Sequence, residues 1–129
     1  MTTTAHNVDP ANYVAAVLNL YLALPETPLR VSAQDRNQAR QLRERAVPLP
    51  LVESAFLLAS LRRLLRPAEL PALSPIRSLA YFQPVIEELL ANPVPEGYLG
   101  YLRAKLSRLT EGKKHPAGAV QKNTFLDDR

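Results

Sequence analysis

Tyr13, Val14, Val17, Leu18, Tyr21 and Leu24 recur at steps of three and four, the spacing that gathers apolar side chains on one side of an α-helix. Asp9-Pro10 supplies a start for that helix, as a cap followed by a proline fixed at a helical φ. Pro25 stops it, and Pro25-Glu26-Thr27-Pro28 reads as a rigid connector. A second helix opens at Ser32-Ala33-Gln34-Asp35, a capping box with Asp in the usual Glu or Gln position. Its apolar stripe is narrow: Ala39, Leu42 and Ala46. After the turn Val47-Pro48-Leu49, a third helix is predicted over about residues 50–65. It is apolar on almost every side, which marks the centre of a bundle.

The connector Pro67-Ala68-Glu69-Leu70-Pro71-Ala72-Leu73 is stiffened by proline, with Leu70 and Leu73 expected to tuck onto the core. Ser74-Pro75 then reads as cap and first residue of a fourth helix reaching Leu90, with a kink or break near Ala80 to Gln83 because Pro84 lacks an N–H and crowds the preceding turn. Asn92-Pro93-Val94-Pro95 ends it. The fifth helix, over about 96–109, turns Tyr98, Leu99, Leu102, Leu106 and Leu109 to the core. No stretch alternates with period two for long enough to make a strand. The pattern therefore predicts an all-α, compact five-helix bundle with a central apolar helix: a flexible N-terminus over 1–8, the helical domain over 9–109, and a disordered basic and polar tail over 110–129.

Composition narrows the classes. The 129 residues suit one domain, and 47% hydrophobic residues provide a real core. The absence of cysteine excludes disulfides, thiolate metal sites and cysteine nucleophiles. Met1 to Asn7 has neither the basic nor the apolar region of a signal peptide, and the apolar run 49–61 is too short to span a bilayer and contains Glu53, so a cytoplasmic protein away from membranes is expected. Net charge is +4, and arginine supplies most of the basic residues. Arginine suits planar contacts to phosphate or carboxylate; codon usage in a high-GC genome also raises it, together with Ala, Leu and Pro.

Residues for catalysis are few. His6 and His115 lie in the expected flexible ends, without acidic or histidine partners at metal-ligand spacing. Glu87 and Glu88 are adjacent on a helix and diverge by about 100°, which suits a solvated or salt-bridged face better than an acid–base pair. Ser54, Ser60 and Ser78 have no base nearby in sequence. With only 4 glycines there is no phosphate-cradling loop. A non-catalytic protein with no metal and no cofactor is expected.

The charges suit either a polyanion partner or a merely solvated face, since exposed helices are often rich in arginine and Glu44 and Asp35 partly neutralise the second helix. Arg36, Arg40 and Arg43 lie four and three residues apart and so share one face of the second helix. Arg103, Lys105 and Arg108 face outward on the fifth, and Lys113 and Lys114 continue the basic stretch. Two helices joined by a short turn suggest a DNA-reading pair, but a recognition helix needs polar side chains to reach base edges and the third helix has almost none. The arginine face of the second helix is suited to phosphates, with little sequence information. Tyr98/Tyr101 and Tyr81-Phe82 offer rings for base stacking, with Tyr101 the more exposed, although such spacings also serve a core.

The order of pieces — a polar helix with Asp35 and Leu42, the turn Val47-Pro48-Leu49, an apolar helix from Val52 to Ala55, a proline-rich link, then Ser78-Leu79-Ala80-Tyr81-Phe82-Gln83-Pro84-Val85-Ile86 — resembles helical modules of phage and plasmid replication proteins, including the DnaD-like primosome module. The likeness covers about residues 33–90. The Tyr-to-Ile spacing is five here against four in that module, and its acidic-aromatic end is missing after Leu90. The resemblance implies an accessory replication or mobile-element protein that binds DNA without catalysis and contacts a helicase or initiator. The competing expectation is a protein–protein adaptor or small structural subunit of a larger nucleoprotein assembly, similar to the small subunits that line nucleic acid in CRISPR effector complexes.

Overall fold

The computed structural model describes residues 10–114. Within them the chain forms five α-helices: α1 (Pro10–Leu22), α2 (Ala33–Glu44), α3 (Leu49–Leu64), α4 (Gln83–Ala91) and α5 (Tyr98–Lys114), with one 3-10 turn at Leu79–Phe82 ahead of α4. The all-α bundle expected from the sequence is the fold. α3 is its axis and packs against α1, α4, α5 and the 3-10 turn, while α2 packs on α1 and the 3-10 turn.

The reason α3 is central is visible along its length. Val52, Ser54, Ala55, Phe56, Leu57, Ala59, Ser60 and Leu61 are all buried, so neighbours cover it from several sides. Phe82 is the knot of the core. It is fully buried and meets Phe56 at 4.8 Å and Tyr21 edge-on at 6.0 Å, tying the 3-10 turn to α3 and α1. Val17 and Tyr21 of α1, Leu42 of α2, Ile86 of α4 and Leu102 of α5 complete the same cluster. Ser60 Oγ is buried without a hydrogen-bond partner, so this helical serine does not bond back to its own backbone.

Three sequence expectations are corrected. Ser74-Pro75 does not start a helix. Residues 71–77 run without regular structure, and the chain is held there by the Ile76 N–H, which donates to the Glu26 carbonyl at 3.1 Å, and by the buried Ile76 side chain. Of the kink or break expected near Ala80 to Gln83, the break is what forms: the 3-10 turn ends at Phe82 and α4 begins at Gln83. Pro84 lies in the first turn of α4, where its missing N–H would have had no intrahelical acceptor. Leu70 and Leu73 are not tucked in: they are 44% and 43% exposed, because Ile76 is the connector's anchor. Finally, α5 continues to Lys114, past the boundary expected at Leu109. Asp9 and the segments 1–8 and 115–129 lie outside the described residues.

The α2–α3 turn is a Schellman motif. The Ala46 N–H donates to the Arg43 carbonyl at 2.9 Å and the Val47 N–H to the Leu42 carbonyl at 3.1 Å, while buried Val47 and Leu42 are the apolar pair this cap favours. Ala46 occupies the left-handed position, φ 59°, where glycine is usual. The Tyr13 hydroxyl donates to the Val47 carbonyl at 2.7 Å and fastens the turn to α1; burial pushes that phenol's pKa up to about 12. Since a β-carbon in the left-handed region costs about 1–2 kcal/mol and glycine's extra freedom in the unfolded chain offsets part of it, Ala46→Gly is expected to raise stability by about 1 kcal/mol. Urea denaturation at neutral pH checks this; an unchanged or lower midpoint contradicts it.

Candidate polyanion-binding site

Asp35 sets the position of α2. Its carboxylate is buried, 1% exposed, and works in two directions. Oδ2 accepts the Ser32 N–H at 2.9 Å while the Ser32 hydroxyl accepts the Asp35 N–H at 3.1 Å, the reciprocal capping box expected from the sequence. Oδ1 accepts the Leu79 N–H at 2.9 Å, across 44 positions of chain. One side chain therefore caps α2 and receives the first residue of the 3-10 turn. Tyr21 lies close enough for the Asp35 charge to act on it: burial first, and that charge second, push its phenol to about 12.

The arginines divide into two groups. The first is committed to the fold. Arg45 grips Glu87 with two hydrogen bonds, 2.7 and 3.0 Å, joining the end of α2 to α4. Arg62 grips Glu88 at 2.9 and 2.7 Å, joining α3 to α4. Arg103 grips Glu53 at 2.8 and 2.7 Å, joining α5 to α3. Arg63, its side chain only 7% exposed, donates to the Glu26 carboxylate, the Ser74 carbonyl and the Tyr81 hydroxyl, and lies 5.3 Å from the Tyr81 ring centre. Arg66 donates to the Pro71 carbonyl. The cations ending α3 complement its dipole, as their position suggests, and also hold the connector. Glu87 and Glu88 are arginine partners, which fits a salt-bridged face.

The second group has no carboxylate partner among the described residues. Arg36 and Arg40 are exposed; Arg43 is half-buried with its Nε unbonded, so its stem is held against the bundle. With Asp35, Ala39 and Leu42 turned inward, the 100° step of the helix sets these three arginines together on the adjoining flank. Arg30 and Arg77 are also exposed and without a carboxylate partner among the described residues. Arg30 precedes the Ser32 cap by two residues and so lies near the N-terminal end of α2 by chain continuity, while the Asp35–Leu79 bond brings the backbone two residues after Arg77 to that same end. The approach of the Arg77 segment is not legible from local spacing, because the pairing of residues 35 and 79 is a tertiary event.

The fifth helix contributes less than its sequence suggests. Arg103 is occupied by Glu53, and Lys105 lies 6.0 Å from the Tyr101 ring centre. Arg108 is exposed and without a carboxylate partner among the described residues. Lys113 and Lys114 belong to the helical backbone of α5. α5 packs on α3 and α2 on α1, so the two basic stretches are carried by helices with different packing partners. Tyr98 and Tyr101 stack at 6.1 Å on α5, with Tyr101 54% exposed. Among the described residues no cluster of three His, Asp or Glu side chains could hold a metal, and no helix is long and apolar enough to cross a membrane. Comparisons with protein-family models, curated proteins and solved structures return no match.

Two outcomes follow from this geometry. Asp35→Ala removes the acceptor for two N–H groups and is expected to cost about 2–4 kcal/mol, which a urea titration against wild type will measure; a loss under 1 kcal/mol contradicts the pinning role. The second concerns pH. The hydrogen bond from Arg62 holds the Glu88 carboxyl below its ordinary value of 4.5. A lowered folded-state pKa gives stabilisation that is present above about 4.5 and is lost as pH falls through the lower value. Glu88→Gln should therefore show a smaller drop in urea midpoint between pH 7 and pH 3 than wild type does, and an equal or larger drop contradicts the pairing.

Proposed function

We propose that the protein is a non-catalytic accessory factor that binds a nucleic-acid backbone through the arginine flank of α2, Arg36, Arg40 and Arg43. The observation that carries this reading is the sorting of the arginines. Those on α3, at the end of α2 and at Arg103 are satisfied by glutamates or carbonyls, whereas on one flank of α2 Arg36 and Arg40 are exposed and half-buried Arg43 beside them has no carboxylate partner among the described residues. Three arginines together on one flank, none paired to a carboxylate among the described residues, make a local positive patch suited to an external anion.

Spacing favours a phosphate chain. Arg36 to Arg43 spans about 10 Å of helix axis. Over that length one strand of DNA presents about three phosphates, at roughly 3.4 Å each. Arg30 and the Arg77 segment lie near one end of the patch, and Arg108 gives a separate contact on α5. Guanidinium groups meeting phosphates in this way position a strand without reading its bases. The low sequence specificity this implies, and the resemblance to replication modules, suit an accessory role beside a helicase or initiator.

The reading is tested with fluorescent generic duplex and single-stranded DNA and RNA. Binding at low salt should weaken steeply toward moderate salt. The triple substitution Arg36→Ala, Arg40→Ala, Arg43→Ala should flatten the slope of log affinity against log salt by about 2–3, with the helical circular dichroism unchanged. No binding by wild type at low salt, or an unchanged slope in the triple variant, would overturn it and favour the adaptor reading.

A further inference from the structure

An apolar groove runs between the end of α3, the start of the connector and α5. It holds about 630 Å³ and is floored by Leu58, Leu61 and Leu102. Its walls are unusual for a surface: Leu65 is 53% exposed, Leu70 44% and Tyr101 54%. The stacked Tyr98 and Tyr101 rings form the α5 side. Arg62, Arg66 and Lys105 stand at the rim, and no carboxylate lines it. Arg62 is balanced by Glu88 just outside, and Arg66 is turned to the Pro71 carbonyl, whereas Lys105 has no anionic or carbonyl partner among the described residues. The groove thus asks for an occupant with bulky apolar side chains followed closely by negative charge.

The chain contains one such segment beyond the described residues, Phe125-Leu126-Asp127-Asp128. We propose that this C-terminal segment docks in the groove of its own molecule, with Phe125 and Leu126 among Leu65, Leu70 and Tyr101, and Asp127 and Asp128 toward Lys105 and Arg66. The tether is long enough. α5 covers about 20 Å from Tyr101 to Lys114, and the chain from Lys114 to Phe125 reaches at most about 36–40 Å. Pro116 and Gly118 provide the turn residues that a reversal onto α5 requires. Being tethered sets the segment's effective concentration near its groove in the millimolar range, so a weak contact suffices to keep it docked.

Docking in this way covers the apolar face that α5 and the connector leave open. It also places two carboxylates beside Lys105 and Arg66, on a groove lined by α3, the connector and α5 and by no residue of α2. The inference is independent of the function proposed for that flank.

The chain has no tryptophan, so Phe125→Trp in the full-length protein installs a single emission probe. The expected result is blue-shifted emission and severalfold weaker quenching by acrylamide than in a free peptide of residues 115–129 bearing the same tryptophan. Both should be independent of protein concentration. Adding Lys105→Glu or Tyr101→Ser, each at an exposed or half-exposed position, should return the emission to that of the peptide while circular dichroism stays native. Three results would overturn the proposal. One is peptide-like emission in the unmodified background. Another is shielding that survives both groove substitutions, which seats the segment elsewhere. The third is shielding lost on dilution, which gives the groove to the segment of a second copy.

Discussion

The structure depends on one buried carboxylate. Asp35 accepts from the N–H groups of Ser32 and Leu79, and neither bond is replaceable by water at 1% exposure. The first bond belongs to α2 alone; the second determines where the chain re-enters the bundle after a long excursion. Without an acceptor at that point, Leu79 would bury an unpaired donor, and the 3-10 turn that delivers Phe82 to the core would lose its origin. Phe82 then joins α1 and α3 through Tyr21 and Phe56. A polar interaction therefore fixes the register in which the apolar contacts form, which is the use to which buried polar groups are best suited.

Around this pin the glutamates act as connectors between helices. Glu87 and Glu88 on α4 reach Arg45 and Arg62, and Glu53 on α3 reaches Arg103. The two pairs on α4 are about half-exposed and each adds little stability by itself, while Glu53 is only 16% exposed beneath Arg103. Their value lies in geometry, since each two-pronged contact fixes one helix relative to another. Glu26 is the more demanding case. It adopts φ 68°, a left-handed conformation for a residue with a β-carbon, yet its carbonyl receives Ile76 and its carboxylate receives nearly buried Arg63. Those two contacts stabilise a conformation that local preference disfavours, and they draw the α1–α2 loop against the connector.

What the sequence made legible follows the range of the interactions concerned. The capping box at Ser32-Asp35, the stripe of α1 and the all-round apolarity of α3 are local patterns, and the structure bears each out. The second bond of Asp35 is not local, and so neither the missing start at Ser74-Pro75 nor the approach of the Arg77 segment to α2 could be read from spacing. Leu70 and Leu73 were misleading because hydrophobicity reports what gains from burial, not which residue of a proline-stiff connector reaches the core; Ile76 does. For the candidate site, residue type and helical phase identified Arg36, Arg40 and Arg43 as one face. They could not distinguish these from Arg103, since the glutamate that occupies Arg103 lies 50 positions away.

The placement of the free arginines on α2 has a physical logic. A helix that is apolar all round, such as α3, has no surface to offer, and its terminal cations are drawn into holding neighbours. α2 buries only a narrow stripe and relies on its cap, on α1 and on the Asp35 bond for position. Its remaining surface is released from packing, so charge can accumulate there without burying an unpaired ion. The same separation means that replacing Arg36 and Arg40 removes no contact on which the bundle depends. Arg43, whose stem is half-buried, is where the requirements of binding and of packing meet, and a lysine there would keep the charge while giving up the planar fork that fits a phosphate.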